Sequence, residues 1–186
     1  MKRQSLLDEI SKEIENCKIC KRNTTGKAVA GEGNASAKIM FVGEAPGKTE
    51  AETGRPFVGR SGKLLTQLIE SIGVKRQDVY ITSPVKYFPI TSEGKGRTPT
   101  DAEIAHGNVH FQNQLKTINP KIIVLLGKTA AKAVLGKDLP IAKVHGAIIK
   151  EAGRNYFVMY HPAAAVRFAK FRPFLQSDFK KLQRLI

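Results

Sequence analysis

Lys121-Ile-Ile-Val-Leu-Leu-Gly127 runs directly into Lys128-Thr-Ala-Ala-Lys-Ala-Val-Leu-Gly136. Five consecutive aliphatic residues with no polar interruption read as a strand covered on both faces. The segment after it reads as a helix ending at Gly136, since glycine adopts the left-handed stop at no steric penalty. A buried strand feeding a helix is the building unit of a parallel sheet clothed by helices.

The rest of the chain repeats that alternation. Lys38–Gly43 and Val79–Thr82 read as further strands, and Ala147–Lys150 with Tyr156–Tyr160 flank EAGRN as a hairpin. Leu6, Leu7, Ile10 and Ile14 lie at helical spacing behind Ser5 as N-cap. Leu64, Leu65, Leu68, Ile69 and Ile72 do the same between a cap at Ser61 and a stop at Gly73. Thr100 and Glu103 form a capping-box pattern opening a helix to about Thr117, and a last helix runs from Pro173. Residues 21–37 read as loop. The expectation is an α/β fold, a three-layer α/β/α sandwich around a mostly parallel central sheet. Residues 1–186 are expected to form a single domain without repeat or linker.

Of 186 residues, 41% are hydrophobic, enough for a full core and too many for a disordered chain. No apolar run reaches membrane-spanning length, and the N-terminus lacks a signal-peptide apolar stretch, so an intracellular protein is expected. Thirty-one Lys and Arg stand against 16 acidic residues, a formal net charge of +15. That excess points to a polyanionic partner, with nucleic acid ahead of an anionic membrane surface, or to a lysine-rich surface without a partner.

In open parallel sheets, ligands sit beyond the carboxyl ends of the strands. Three segments fall there: Gly43-Glu-Ala-Pro-Gly47, Ser83-Pro-Val-Lys86 and His161-Pro162. GEAPG alone is only a tight turn, for neither the Walker pattern nor GxGxxG is present. Its combination with Gly54-Arg-Pro-Phe-Val-Gly-Arg-Ser-Gly62 and Met159-Tyr-His-Pro-Ala-Ala-Ala-Val-Arg-Phe168 is far more specific.

GEAPG, GRPFVGRSGKLL and YHPAA, with VYITSPVK, GRTPTDAEI and NPKIIVLLGKTAAKAVLG in order between them, resemble the uracil-DNA glycosylase superfamily, above all its family 4. The resemblance spans Cys17 to Arg167. It implies hydrolysis of the bond between deoxyribose and a damaged base that has been flipped out of the stack, with no cofactor required for the chemistry. Phe57 then matches the stacking aromatic, and His161 matches the histidine that hydrogen-bonds the carbonyl oxygen as negative charge develops. Glu44 matches the acidic residue of the first motif, holding water or bracing the loop through backbone N–H groups. Ala45 stands where other branches carry a water-orienting Asp or Asn. Arg60, Ser61, Arg97, Ala163 and Arg167 are the expected DNA-backbone contacts, positioning without reading sequence.

Two departures stand out against the family pattern. Ser83 takes the place of the Asn that reads the uracil edge, and a hydroxyl does not pair a donor and an acceptor as an amide does. The resemblance also implies an iron–sulfur cluster on four cysteines, but the chain has only Cys17 and Cys20, with Tyr87 and Gly107 at the other two positions. His106 and His110 stand one helical turn apart beside the latter. A Cys₂His₂ zinc site, a CxxC disulfide and two free thiols all remain open. His145 carries no role. Two functions follow: a glycosylase acting on uracil or a related deaminated base in DNA, or a catalytically weak DNA-binding relative, in either case expected as a cytoplasmic, nucleoid-associated monomer. A nucleotide-binding flavodoxin-like enzyme is a distant third.

Overall fold

The computed structural model describes residues 2–186. In chain order the elements are α1 (Lys2–Asn16), β1 (Thr24–Thr25), β2 (Glu32–Gly33), β3 (Ile39–Val42), α2 (Lys48–Thr53), α3 (Arg60–Ser71), β4 (Tyr80–Thr82) and β5 (Phe88–Pro89). They continue with α4 (Asp101–Ile118), β6 (Ile122–Leu126), α5 (Gly127–Leu135), α6 (Ile141–Val144), β7 (Ile148–Glu151), β8 (Arg154–Met159), α7 (Pro162–Arg167) and α8 (Arg172–Gln183).

The central sheet has the order β2-β4-β3-β6-β8-β7. β4, β3, β6 and β8 are mutually parallel, and β2 and β7 close the edges antiparallel. Alternation along the strands divides the interior into two. Met40, Val42, Ile123 and Leu125 face Leu7, Ile10 and Ile14 of α1, Phe111 and Leu115 of α4, and Ala130 and Ala131 of α5. Ile39, Phe41, Val124 and Leu126 face Leu65 and Ile69 of α3 and Leu175, Phe179 and Leu182 of α8. Two apolar faces on one sheet explain why β3 and β6 are apolar throughout. This is the three-layer α/β/α sandwich expected.

Local signals held where their physics was local. Thr100 and Glu103 exchange both capping-box bonds, and α5 stops on left-handed Gly136. Other expectations are corrected. Ser5 lies inside α1 rather than capping it. Gly59, not Ser61, occupies the N-cap of α3. The loop expected over 21–37 holds the two-residue strands β1 and β2, each formed by pairing with a distant segment. Two short helices had no counterpart in the sequence reading, α2 after GEAPG and α7 after His161.

The chain leaves β3 for β4 on one side and later enters β6 on the other, so the order reverses beside β3. A crevice opens at such a reversal, beyond the strand ends.

Candidate active site

A cavity of about 240 Å³ lies at that reversal, lined by Glu44, Ala45, Phe57, Ser61, Ser83 and His161 among others. Sites for drug-sized ligands run from about 300 Å³ upward, so this one is small. All three rim segments expected from the sequence meet there. Arg97 and Ala163 also line it, whereas Arg60 and Arg167 are exposed outside the lining.

Phe57 is held by the backbone around it. Its φ of 49° is left-handed, a conformation that is strained for a non-glycine residue. A Cβ on Gly43 would lie 2.7 Å from ring atoms Cε2 and Cζ, so the first glycine of GEAPG lets the phenyl ring rest on the backbone at the end of β3. A Cβ on Gly62 would lie 2.0 Å from the Phe57 carbonyl, so α3 also packs directly on this loop.

The carboxylate that braces the loop is Glu50, on α2, to which sequence reasoning gave no role. It is buried, and its Oε1 accepts from the backbone N–H of Val58 at 2.9 Å and of Gly59 at 2.8 Å. Arg76 secures the other end by donating to the Pro56 carbonyl at 2.6 Å. Glu44 instead stays partly open at the cavity wall. Finding Glu50 from sequence required knowing that the spacer forms a helix.

His161 caps α7, and its Nδ1 accepts the backbone N–H of Ala163 at 3.1 Å. A nitrogen that accepts carries no proton, so the neutral ring holds its proton on Nε2. Burial pushes the imidazole down to about 4, with the Glu50 carboxylate acting the other way. The ring is therefore uncharged at neutral pH, with an N–H donor left over. Phe57 and His161 lie with ring centroids 5.6 Å apart. Gly127 makes room for His161, since a Cβ there would meet His161 Cβ at 3.0 Å.

Ser83 is buried, and its hydroxyl donates to the Val85 carbonyl at 2.8 Å. Its hydrogen is thus engaged within the loop, and its oxygen lone pairs are left as acceptors. Arg97 forms a two-pronged pair with Glu103 at 2.6 and 2.8 Å and donates from Nε to the Ile90 carbonyl, tying the loop to α4. α3 begins at Arg60 without a side-chain cap, beside Ser61 in the cavity wall.

Lys86, fully buried, was also missed as a structural residue. Its Nζ donates to the Ala30 carbonyl at 3.1 Å, Thr82 Oγ1 at 2.9 Å and Gln114 Oε1 at 2.8 Å, joining the end of β4 to α4. His145 acquires a role as well, since its Nδ1 pairs with buried Asp178 Oδ2 on α8 at 2.9 Å.

On the α1 side, Cys17, Cys20, His106 and His110 bring their ligand atoms within 4.8 Å of one another. Burial raises the Cys17 thiol, but the Cys20 amide and the His110 and His106 imidazoles outweigh it and bring it down to about 6; burial pushes Cys20 up to about 12. Tyr87, at the third cluster position, has its hydroxyl 3.4 Å from the Glu15 carbonyl. Gly107, at the fourth, sits so close to Pro84 that a Cβ would be 2.3 Å from its carbonyl oxygen. These residues do not fit a cluster held by four cysteines.

A mostly parallel sandwich with these three motifs converging on one cavity defines a class, and the chain belongs to it: residues 30–183 match the family model of the uracil DNA glycosylase superfamily. The chain is 41% identical to the type-4 uracil-DNA glycosylase of Sulfurisphaera tokodaii over 96% of its own length and 84% of that protein. It is 40% identical to the type-4 uracil-DNA glycosylase of Archaeoglobus fulgidus, over 96% of this chain and 92% of that one. The corresponding protein of Thermotoga maritima is 38% identical over 99% and 96%. Among the described residues, no helix is long and apolar enough to cross a membrane.

Proposed function

We propose that the chain, acting as a single-domain monomer, is a DNA glycosylase that hydrolyses the N-glycosidic bond of uracil or a related deaminated base, leaving an abasic site. The observation that carries this reading is the neutral His161 ring, whose proton stays on Nε2 at the wall of a cavity floored by Phe57.

A base flipped into the cavity stacks on the Phe57 ring, and its N–H edge donates to the Ser83 oxygen. The glycosidic bond breaks with its electron pair leaving on the base, and the Nε2–H of His161 donates to the carbonyl oxygen where that charge collects. A neutral donor supports a departing anion without itself needing to be protonated first. Water adds to C1′ of the resulting sugar cation, and the proton it gives up passes through solvent to the base anion, which leaves as the neutral base. Ala45 has no group to activate water, so Glu44 or backbone carbonyls of the same turn hold it. No lysine is among the residues lining the cavity, which favours direct hydrolysis over a covalent Schiff-base route.

The charge of +15 supports binding to the DNA backbone by counterion release. Arg60, Ser61 at the uncapped start of α3, Ala163 and Arg167 are the proposed phosphate contacts. Arg97 belongs with them as a residue of the cavity rim, though its pair with Glu103 makes its part mainly that of holding the loop.

The alternative, a DNA-binding relative with little activity, draws on Ser83, whose hydroxyl is engaged within its own loop. One panel separates the two. Single-stranded and duplex oligonucleotides carrying uracil, hypoxanthine or xanthine are incubated with the protein and assayed for abasic sites. Excision of at least one base supports the glycosylase; salt-sensitive binding to every oligonucleotide with no abasic sites selects the binder.

A further inference from the structure

We propose that Cys17, Cys20, His106 and His110 bind one zinc ion as a closed tetrahedral site that joins the turn after α1 to α4. The ligand spacing is Cys-x₂-Cys and His-x₃-His, within the range that structural zinc sites use. His106 and His110 lie on one face of α4 because they are four residues apart, and the contact bridges 89 positions of sequence, with Cys17 Sγ 3.1 Å from His106 Nε2.

Distance selects a single ion over a cluster. Zinc–sulfur bonds of about 2.3 Å and zinc–nitrogen bonds of about 2.0–2.1 Å place tetrahedral ligand atoms roughly 3.3–3.8 Å apart. The four atoms here all lie within 4.8 Å of one another, so small side-chain movements close the site. An iron–sulfur cluster spreads its ligands over several irons, and so needs them farther apart than one ion does.

His110 supplies an independent sign of a ligand. It is only 9% exposed, and neither ring nitrogen has a hydrogen-bond partner. A buried imidazole without partners is costly, and a metal bond relieves it. The Cys20 backbone N–H already points at Cys17 Sγ, 3.4 Å away, as a group that steadies a bound thiolate does. A cavity lined by Cys20, Arg22, His106 and Gly107 gives the ion a way in. Four protein ligands leave no open position, so the ion is structural. It shares only Arg97 with the lining of the cavity at the strand ends.

The function of such a site is to hold α1 and its following turn against α4. α4 also carries Gln114, which anchors Lys86 and with it the end of β4 next to Ser83.

The test uses the full chain, purified under reducing conditions. Elemental analysis is expected to find one zinc per chain with no acid-labile sulfide. Cobalt(II) added to the metal-stripped, reduced protein is expected to give the visible d–d bands of a tetrahedral site and a thiolate-to-cobalt charge-transfer band, both displaced by zinc. Thermal unfolding should move to lower temperature on chelation and recover with zinc. His110→Ala and His106→Ala should weaken zinc by at least the roughly 10–100-fold that loss of a supporting group produces; His145→Ala should not. If the ligand variants fail to fold, the cobalt spectrum and stoichiometry of the unaltered chain decide. Iron with labile sulfide, a Cys17–Cys20 disulfide in protein kept from oxidants, or no tetrahedral cobalt spectrum overturns the proposal.

Discussion

The backbone N–H of Ala163 donates to His161 Nδ1 across 3.1 Å, leaving the ring proton on Nε2. Burial holds the same ring neutral down to a pKa of about 4, against 6.5 for a free imidazole. Nitrogen-15 NMR of the ring should therefore show the Nε2–H tautomer throughout the neutral range, and the single-turnover excision rate should show no inflection near the ordinary histidine value. The folded-state pKa is depressed, so the associated stability is complete above 6.5 and is lost as pH falls towards 4. Denaturant titrations across that window should show a smaller loss in His161→Gln. At neutral pH, His161→Ala should slow single-turnover cleavage by about 10²–10³-fold, the effect of removing one preorganised donor, with affinity for undamaged DNA unchanged.

Gly43 and Phe57 should behave as one unit. A Cβ at position 43 would sit 2.7 Å from the phenyl ring, so Gly43→Ala must displace the ring from the strand end. Capture of the damaged base, read as the enzyme concentration at half-maximal single-turnover rate, should weaken as in Phe57→Ala, by about 1–3 kcal/mol of lost stacking. Adding Gly43→Ala to Phe57→Ala should produce little further change, because the ring it displaces is already gone. Full additivity would show that the two residues act separately.

Removing the Glu50 carboxylate leaves the amides of Val58 and Gly59 without their acceptor. Glu50→Ala should lower stability by about 1–3 kcal/mol and let the Phe57 loop relax from its left-handed backbone. Hydrogen exchange at the Val58 and Gly59 amides should rise more than exchange in β6. Equal acceleration across the chain would mean that Glu50 supports the whole fold rather than this loop.

Ser83→Asn restores a side chain with both a donor and an acceptor at the cavity wall. The ratio of uracil to hypoxanthine excision, measured as kcat/KM on matched oligonucleotides, should rise, since a site that meets both edge atoms discriminates more sharply. An unchanged ratio would shift base reading to the backbone around Phe57.

How much was legible beforehand follows from how local each signal is. KIIVLLG could only be a doubly covered strand, and the Thr100–Glu103 box acts within a single turn of helix, so both appeared as read. Ser5 failed as a cap because nothing local marks which of several polar residues starts α1. β1 and β2 escaped notice because two residues become a strand only through a partner 65 or 49 positions away, as in the pairs Thr24–Pro89 and Glu32–Ile81. His161 and Phe57 were readable as motif residues, whereas Glu50 looked like an ordinary spacer acid.

The order of apolar runs, the motif glycines, the excess of basic residues and the shortage of cysteines are properties of the chain itself. They determined the layered fold, the family and the exclusion of a four-cysteine cluster. Tertiary structure alone decided which carboxylate braces the Phe57 loop, which nitrogen of His161 keeps its proton, and that Ser83 turns its hydrogen inward. It alone brought Cys17 to His106. Hydrogen bonds and metal bonds act over about 2–3 Å, and only the folded backbone brings such distant residues that close.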